Sequence, residues 1–300
     1  MSILIDPPRW PAHGTLFSHL VSDASLQQLQ ACAAGQGISP RAFDRDHYDV
    51  PAERYEQLVA AGARPVAGSE LVRALVAAGL RIPARHRPEK LDAILLRRWD
   101  KTLPGTPELG AALLERWSQP HRHYHDRVHL LSMLEALDLL MTGTGGHGSA
   151  QLLALAAWFH DAVYEGTAQD ELHSAQLAAS ELRSLLPAAQ VAEVERLVLL
   201  TADHRPDAGD VNGALLCDAD LEVLARDWPA YQRYAQAVAT EYSHVPPRDF
   251  AAGRIAVLEQ LAASGTLYST PAAVQRWEAG ARANLAREIR GLREQLAEAG

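Results

Sequence analysis

Apolar positions in the first eighty residues come in short bursts separated by proline, glycine and charged residues. Ile3-Leu4-Ile5 predicts a short strand, and Arg64-Pro65-Val66 a second. Between and after them the spacing turns helical. One helix is predicted over 25–34, with Asp23 or Ser25 as its cap. A second begins at Pro51 and stops at Gly62, and a third is capped by Ser69 and runs to Ala78, with Gly79 as its stop. Alternating strand and helix predict a small α/β unit over 1–82 with a partly parallel sheet. Residues 83–90, polar and carrying two prolines, read as a linker.

Beyond residue 90 the pattern becomes almost continuously helical. Amphipathic or apolar stretches predict helices over 91–99, 107–118, 122–141, 150–163, 170–186, 188–203, 213–226, 228–244, 248–264 and 271–298. Leu130, Leu134, Leu137 and Met141 repeat as a core-facing stripe should, and 151–159 is apolar nearly all round, as in a buried helix. Pro187, Pro206, Pro246-Pro247 and Pro271 fall at helix boundaries. The expected fold is α+β and multidomain, a small α/β domain followed by an all-α helical bundle over 91–300.

Composition narrows the chemistry. The chain of 300 residues is 48% hydrophobic with a formal charge of -9. Residues 1–90 hold ten Lys/Arg against nine Asp/Glu, so the acidity lies in the remainder. An acidic body does not suit non-specific nucleic-acid binding or an anionic membrane surface. Lys90 and Lys101 are the only lysines, which argues against Schiff-base chemistry in the main site. Cys32 and Cys217 form no metal-binding spacing and no disulfide framework. Neither a signal peptide nor a membrane span is predicted, and the expected location is cytoplasmic.

Within this acidic body, polar groups are driven into apolar sequence. Four histidines, His121, His123, His125 and His129, fall within nine residues. His160-Asp161 ends the apolar run, and Asp218 and Asp220 sit in another, Leu215 to Leu221. Burying such groups costs several kcal/mol each, roughly, unless they are compensated, and one divalent cation would compensate several. With 122–141 read as helix, His125 and His129 share one of its faces. Three helices delivering ligands to a core is a geometry that bundles use for metal sites. The absence of thiolate points to a catalytic ion, one of Mn, Fe, Mg, Zn, Co or Ni, one or two per site. Any single histidine here is more often an ordinary hydrogen-bonded residue; the ordered set carries the argument.

The segments PHRHYHDRVH, WFHDAVYEG, TADH and CDADLEVLA resemble the HD superfamily of metal-dependent phosphohydrolases, from about residue 90 to the C-terminus. The later pieces Glu241-Tyr242, Gly253-Arg254 and the segment carrying Arg282, Asn284 and Glu288 extend the likeness. The resemblance implies His129, His160, Asp161 and Asp220 as metal ligands, with Asp218 competing with Asp220. It implies His125 as the group that protonates the leaving oxygen and Asp161 as a bridge between two ions, a catalytic role. His204 and Glu171 become candidates for extra ligands or for supporting the ligands; the pair Asp170-Glu171 stands where relatives often have Asn-Glu. Arg122, Arg254 and Arg282 become candidates for holding phosphate, though a plain salt bridge is the simpler reading of any one of them. The implied reaction is hydrolysis of a phosphate ester, with a nucleotide or another small phosphorylated metabolite as substrate and partner. The alternatives are a di-iron oxygenase and a nucleotide-sensing module without turnover. Oligomeric state is not written in the sequence.

IDPPRWPAHG, SHLVSD and DRDHYDVP resemble a small bacterial domain of unknown function over about 1–82, which brings no activity with it. Its polar residues, Asp6, Arg9, His13, His19, Asp23, Asp46, His47 and Asp49, read first as turns and caps. A second polar or metal site at the ends of short strands is the alternative.

Overall fold

A computed structural model describes residues 2–12, 14–44, 46–78, 80–81, 88–142, 149–263 and 265–298. The chain divides into two compact units, Met1–Arg87 and Pro88–Gly300. Residues 83–87 of the expected linker lie outside the described residues, as do His13, Gly79 and His147.

The first unit is a sheet with helices on both faces. Its strands are β1 (Ile3–Ile5), β2 (Trp10–Ala12), β3 (Thr15–Ser22), β4 (Phe43–Asp44), β5 (His47–Pro51) and β6 (Arg64–Pro65). They run in the order β4-β5-β3-β1-β6, with β2 on β3. Only β1–β6 pairs in parallel; the other described pairs are antiparallel, so the sheet is less parallel than the alternation implied. The reason is that β3 and β5, quoted above only as motifs, are themselves strands. Period two then sorts side chains by face. Ile5, Leu20, Tyr48 and Val50 pack with Leu29 of α1 (Leu26–Gly35) and Leu58 of α2 (Tyr55–Ala60). Leu4 and Val21 pack on the opposite face with Leu71 and Leu75 of α3 (Gly68–Ala77). Ser25, not Asp23, caps α1 by accepting the Gln28 N–H. Ser69 does not cap α3, whose cap position is two residues earlier, at Ala67.

The second unit is all α-helical among its described residues. Its helices are α4 (Pro88–Thr102), α5 (Pro107–Trp117), α6 (Arg127–Met141), α7 (Ala150–Phe159), α8 (Asp170–Leu182), α9 (Ala188–Leu200), α10 (Val211–Asp220), α11 (Trp228–Glu241), α12 (Pro247–Ala262) and α13 (Pro271–Glu298). No helix among the described residues is long and apolar enough to cross a membrane. Helix α7 lies in the core, with Leu153, Leu155, Ala156, Ala157, Trp158 and Phe159 fully buried. Trp117 donates its indole N–H to the Trp158 carbonyl at 3.0 Å, and Trp99 meets the Trp158 ring edge-on.

One boundary matters for chemistry. The helix expected from 122 starts at Arg127, because Asp126 is extended and its carboxylate accepts the N–H groups of Val128 and His129. Such a cap contributes about 1 kcal/mol. His125 therefore lies in the loop before α6 and does not share a helical face with His129.

Gly110 of α5 rests against the Trp99 indole, where an added Cβ would meet Cδ1 at 2.3 Å. That indole is fixed by its N–H bond to the Thr106 carbonyl at 2.8 Å. Gly110→Ala is expected to cost about 1–3 kcal/mol by overpacking, measurable by denaturant unfolding. A variant as stable as the wild type would show that Trp99 can move aside.

Candidate metal centre

The ends of three helices bring the site together. His129 sits in the first turn of α6, His160 and Asp161 follow the last residue of α7, and Asp220 ends α10. The His129 Nε2 lies 3.2 Å from His160 Nε2, 3.1 Å from Asp220 Oδ1 and 3.9 Å from Asp161 Oδ2. The His160 Nε2 lies 3.0 Å from Asp161 Oδ2 and 3.7 Å from Asp220 Oδ1. His129, His160 and Asp161 are buried. Atoms bonded at ~2.0–2.2 Å to a common ion stand about 3–3.5 Å apart, so the spacing suits coordination.

Tautomer fits as well. His160 Nδ1 is 2.9 Å from the Ala157 carbonyl, which can only accept, so Nδ1 carries the hydrogen. In the neutral ring the Nε2 lone pair then faces the cluster, the arrangement expected of a ligating histidine. His129 Nε2 faces the same point, and two lone pairs 3.2 Å apart need a proton or a cation between them.

The electrostatics agree. Burial alone would keep His160 neutral, yet Asp161 and Asp220 push its pKa up to about 9. Burial would likewise raise both carboxylates, but His160 holds Asp161 well below the usual range, and His160 with His129 and His204 does the same for Asp220. His204 Nε2 stands 2.8 Å from Asp220 Oδ2, the oxygen turned away from His129, and so orients that carboxylate. It does so from a left-handed backbone (φ 54°), a conformation that costs a non-glycine residue about 1–3 kcal/mol.

The competition between Asp218 and Asp220 is decided by direction. Asp218 accepts the N–H groups of Ser269 and Thr270, both at 2.7 Å, just before α13. It secures the entry to that helix, and its expected place as a ligand candidate is withdrawn. Glu171, in the first turn of α8, is half-buried; burial first, then the charges of Asp161 and Asp170, raises its pKa. Its neighbour Asp170 is committed to the loop at 165–167, accepting three backbone N–H groups and the Thr167 hydroxyl.

The three arginines named as phosphate candidates are engaged within the fold. Arg122 donates to the carbonyls of His125, Asp161 and Ala162 at 2.8–3.4 Å and stacks on Trp117 and Tyr164. Arg254 forms a two-pronged pair with Glu288 and donates to the Tyr234 hydroxyl. Arg282 binds Glu278 and the carbonyls of Ala262 and Gly265 behind α12. A plain salt bridge describes Arg254 and Arg282, whereas Arg122 spends its donors on backbone carbonyls and Gln119.

His125 has a partner that went unassigned in the sequence. Its Nδ1 lies 2.8 Å from Glu241 Oε2, which also accepts the Tyr164 hydroxyl at 2.9 Å. Glu241 Oε1 accepts the backbone N–H groups of His123, Tyr124 and His125. These contacts hold the Glu241 pKa down to about 2 against burial. Burial would lower the pKa of His125, but the Glu241 hydrogen bond, with the charges of Asp161, Glu241 and Asp220, raises it. The ring of His125 stacks on Tyr164 and stands 5.9 Å from that of His129. A signal existed: Glu241 is an anion at the C-terminal end of α11, where the helix dipole disfavours it without a partner.

Residues 3–78 match the model of a family described as a protein of unknown function, DUF4031. No curated protein and no solved structure matches the chain.

A cation must displace the proton that His160 holds below pH about 9. The apparent affinity for a divalent ion should therefore rise with pH, about tenfold per unit for one displaced proton, and level off near 9. Titration of chelator-stripped protein between pH 6.5 and 9.5 checks this; an affinity flat across that range would refute it.

Proposed function

We propose that the second unit is a metal-dependent phosphohydrolase of the HD type, cleaving a phosphate ester of a nucleotide or another small phosphorylated metabolite. The observation that supports it is that the Nε2 atoms of His129 and His160 stand 3.2 Å apart, each within 3.0–3.9 Å of an oxygen of Asp161 and of Asp220, beside a histidine backed by a carboxylate. The donor set fits a divalent ion: two imidazole nitrogens, two carboxylates and a residual charge of -2 when the rings are neutral. Bound there, such an ion would lower the pKa of a water and polarise a phosphoryl oxygen.

The remaining steps belong to the chain. Asp161 and Asp220 stay ionised and can accept a hydrogen bond from the attacking water, aligning it on phosphorus. Glu241 fixes His125 through Nδ1 and favours the imidazolium, which leaves Nε2 to protonate the departing oxygen. Tyr164 holds the ring flat and anchors the same Glu241 oxygen. With Arg122, Arg254 and Arg282 committed elsewhere, His125 is the cationic side chain left to face the departing oxygen, and a bound ion would supply the remaining positive charge.

A screen over nucleotides and sugar phosphates, with metal analysis of each variant, tests the assignment. His160→Ala and Asp161→Ala should lose both ion and turnover. His125→Ala should keep the ion and slow turnover about 10²–10⁴-fold. Glu241→Gln should also keep the ion and move the limb of the pH–rate profile where the acid deprotonates to lower pH, because Glu241 raises the His125 pKa. Loss of the ion in His125→Ala would show that His125 is a ligand and would overturn this division of roles.

A further inference from the structure

We propose that the first unit holds a divalent transition-metal site of its own, built from His19, His47 and Asp49. Sheet register makes the cluster. His19 of β3 lies directly opposite Asp49 of β5, and His47 precedes Asp49 by two residues. Opposite and alternate residues share a face. All three therefore project from the face that α3 covers, away from Leu20, Tyr48 and Val50.

One ligand atom from each of the three lies within 4.8 Å of the others. His19 Nε2 is 3.8 Å and His47 Nε2 is 3.5 Å from Asp49 Oδ1. These spacings match the wider pairs around His129 and His160, and the Asp49 side chain is 45% exposed.

The groups behind the rings argue most directly for a ligand. His19 Nδ1 lies 3.0 Å from Asp6 Oδ2, and His47 Nδ1 lies 2.6 Å from Asp46 Oδ1. Both carboxylates are buried and ionised carboxylates only accept, so each ring carries its hydrogen on Nδ1, and in the neutral ring the Nε2 lone pair faces Asp49, where a cation can replace the proton that Asp46 and Asp49 otherwise favour on His47. Asp6 is itself fixed by the His19 backbone N–H and the Trp10 indole, and Asp46 by Arg81. A carboxylate behind each histidine is the usual support of imidazole ligands. Two separately built supports aimed at one carboxylate exceed what caps or turns require.

Two imidazoles and one carboxylate, without thiolate, suit Zn, Mn, Fe, Co or Ni better than Mg or Ca. Three protein ligands leave coordination positions open. They face a cleft of about 1380 Å³ bordered by Asp6, Arg9, Trp10, His19, His47 and Asp49. Such a site admits water or an oxygen-donor substrate, a reactive rather than a structural design.

The full chain, stripped by chelator, is titrated with Co²⁺ alone and followed by visible absorption and bound-metal count. His19→Ala and Asp49→Ala should each lose one equivalent, or weaken it at least about tenfold, relative to wild type. Asp6→Asn should keep the count and weaken that equivalent about 10–100-fold. Circular dichroism separates loss of binding from loss of fold, and Asp49→Ala, at the most exposed of the three positions, is the deciding variant. An unchanged count and affinity in Asp49→Ala overturns the site, whatever His19→Ala does. Because each comparison is with wild type, an ion at His129, His160, Asp161 and Asp220 cancels out, so failure here leaves the hydrolase reading untouched.

Discussion

The second unit is organised around a repulsion that its own side chains cannot relieve. Asp161 and Asp220 are negative, and His129 and His160 bring lone pairs to the same small, nearly dry space. Left alone, each such group would cost several kcal/mol, roughly. Two remedies act on the same atoms: a proton on the His160 imidazole, or one divalent ion. Either one lowers the repulsion, so the helix ends can meet in both states. The proton remedy is visible in the elevated pKa of His160. It is also what an ion has to compete with, which makes acidity and metal occupancy two faces of one balance.

That balance requires a rigid frame, and the frame is where most of the buried charge goes. Irregular backbone inside a core needs partners for its N–H and C=O groups. Arg122 supplies donors to the carbonyls of His125, Asp161 and Ala162, and Glu241 accepts the N–H groups of 123–125. Asp170 serves the N–H groups of 165–167 and Asp218 those of 269–270. Buried charged residues here divide by what they face. Those facing backbone hold the loops, and those facing one another form the site. Asp218 and Asp220, two residues apart on α10, fall on opposite sides of that line.

This division explains what could be read from residues alone. Helices announced themselves wherever apolar spacing was regular, and α7 was legible because almost nothing in it is polar. The polar groups driven into apolar sequence also pointed to the positions that converge. Direction was not legible. Whether Arg122 reaches a substrate or a carbonyl depends on loop geometry that periodicity does not encode. The expected start of α6 differs from the observed one by five residues because the apolar stripe begins only at Leu130 and says nothing of the polar run before it, where Asp126 caps the helix. The strands β3 and β5 were missed because their alternation mixes His, Asp and Ser with Leu, Tyr and Val, so the period is hidden by the residues that matter most chemically.

Those same residues show what a backing group does for a histidine. His160 rests on a neutral carbonyl, whereas His125 rests on Glu241, His19 on Asp6 and His47 on Asp46. An anion behind Nδ1 makes Nε2 a stronger base, for a proton and for a metal alike. In the proposed hydrolysis the added basicity of His125 would serve a proton donor, because the ring stands beside the cluster of His129 and His160 and not within it. The carboxylates behind His19 and His47 fix two rings that face one carboxylate, as the proposed second site would need. Three of these four rings share the same kind of acceptor behind Nδ1, so the acceptor sets how basic Nε2 is, and what Nε2 faces separates a ring placed to give a proton away from a pair placed to share a cation.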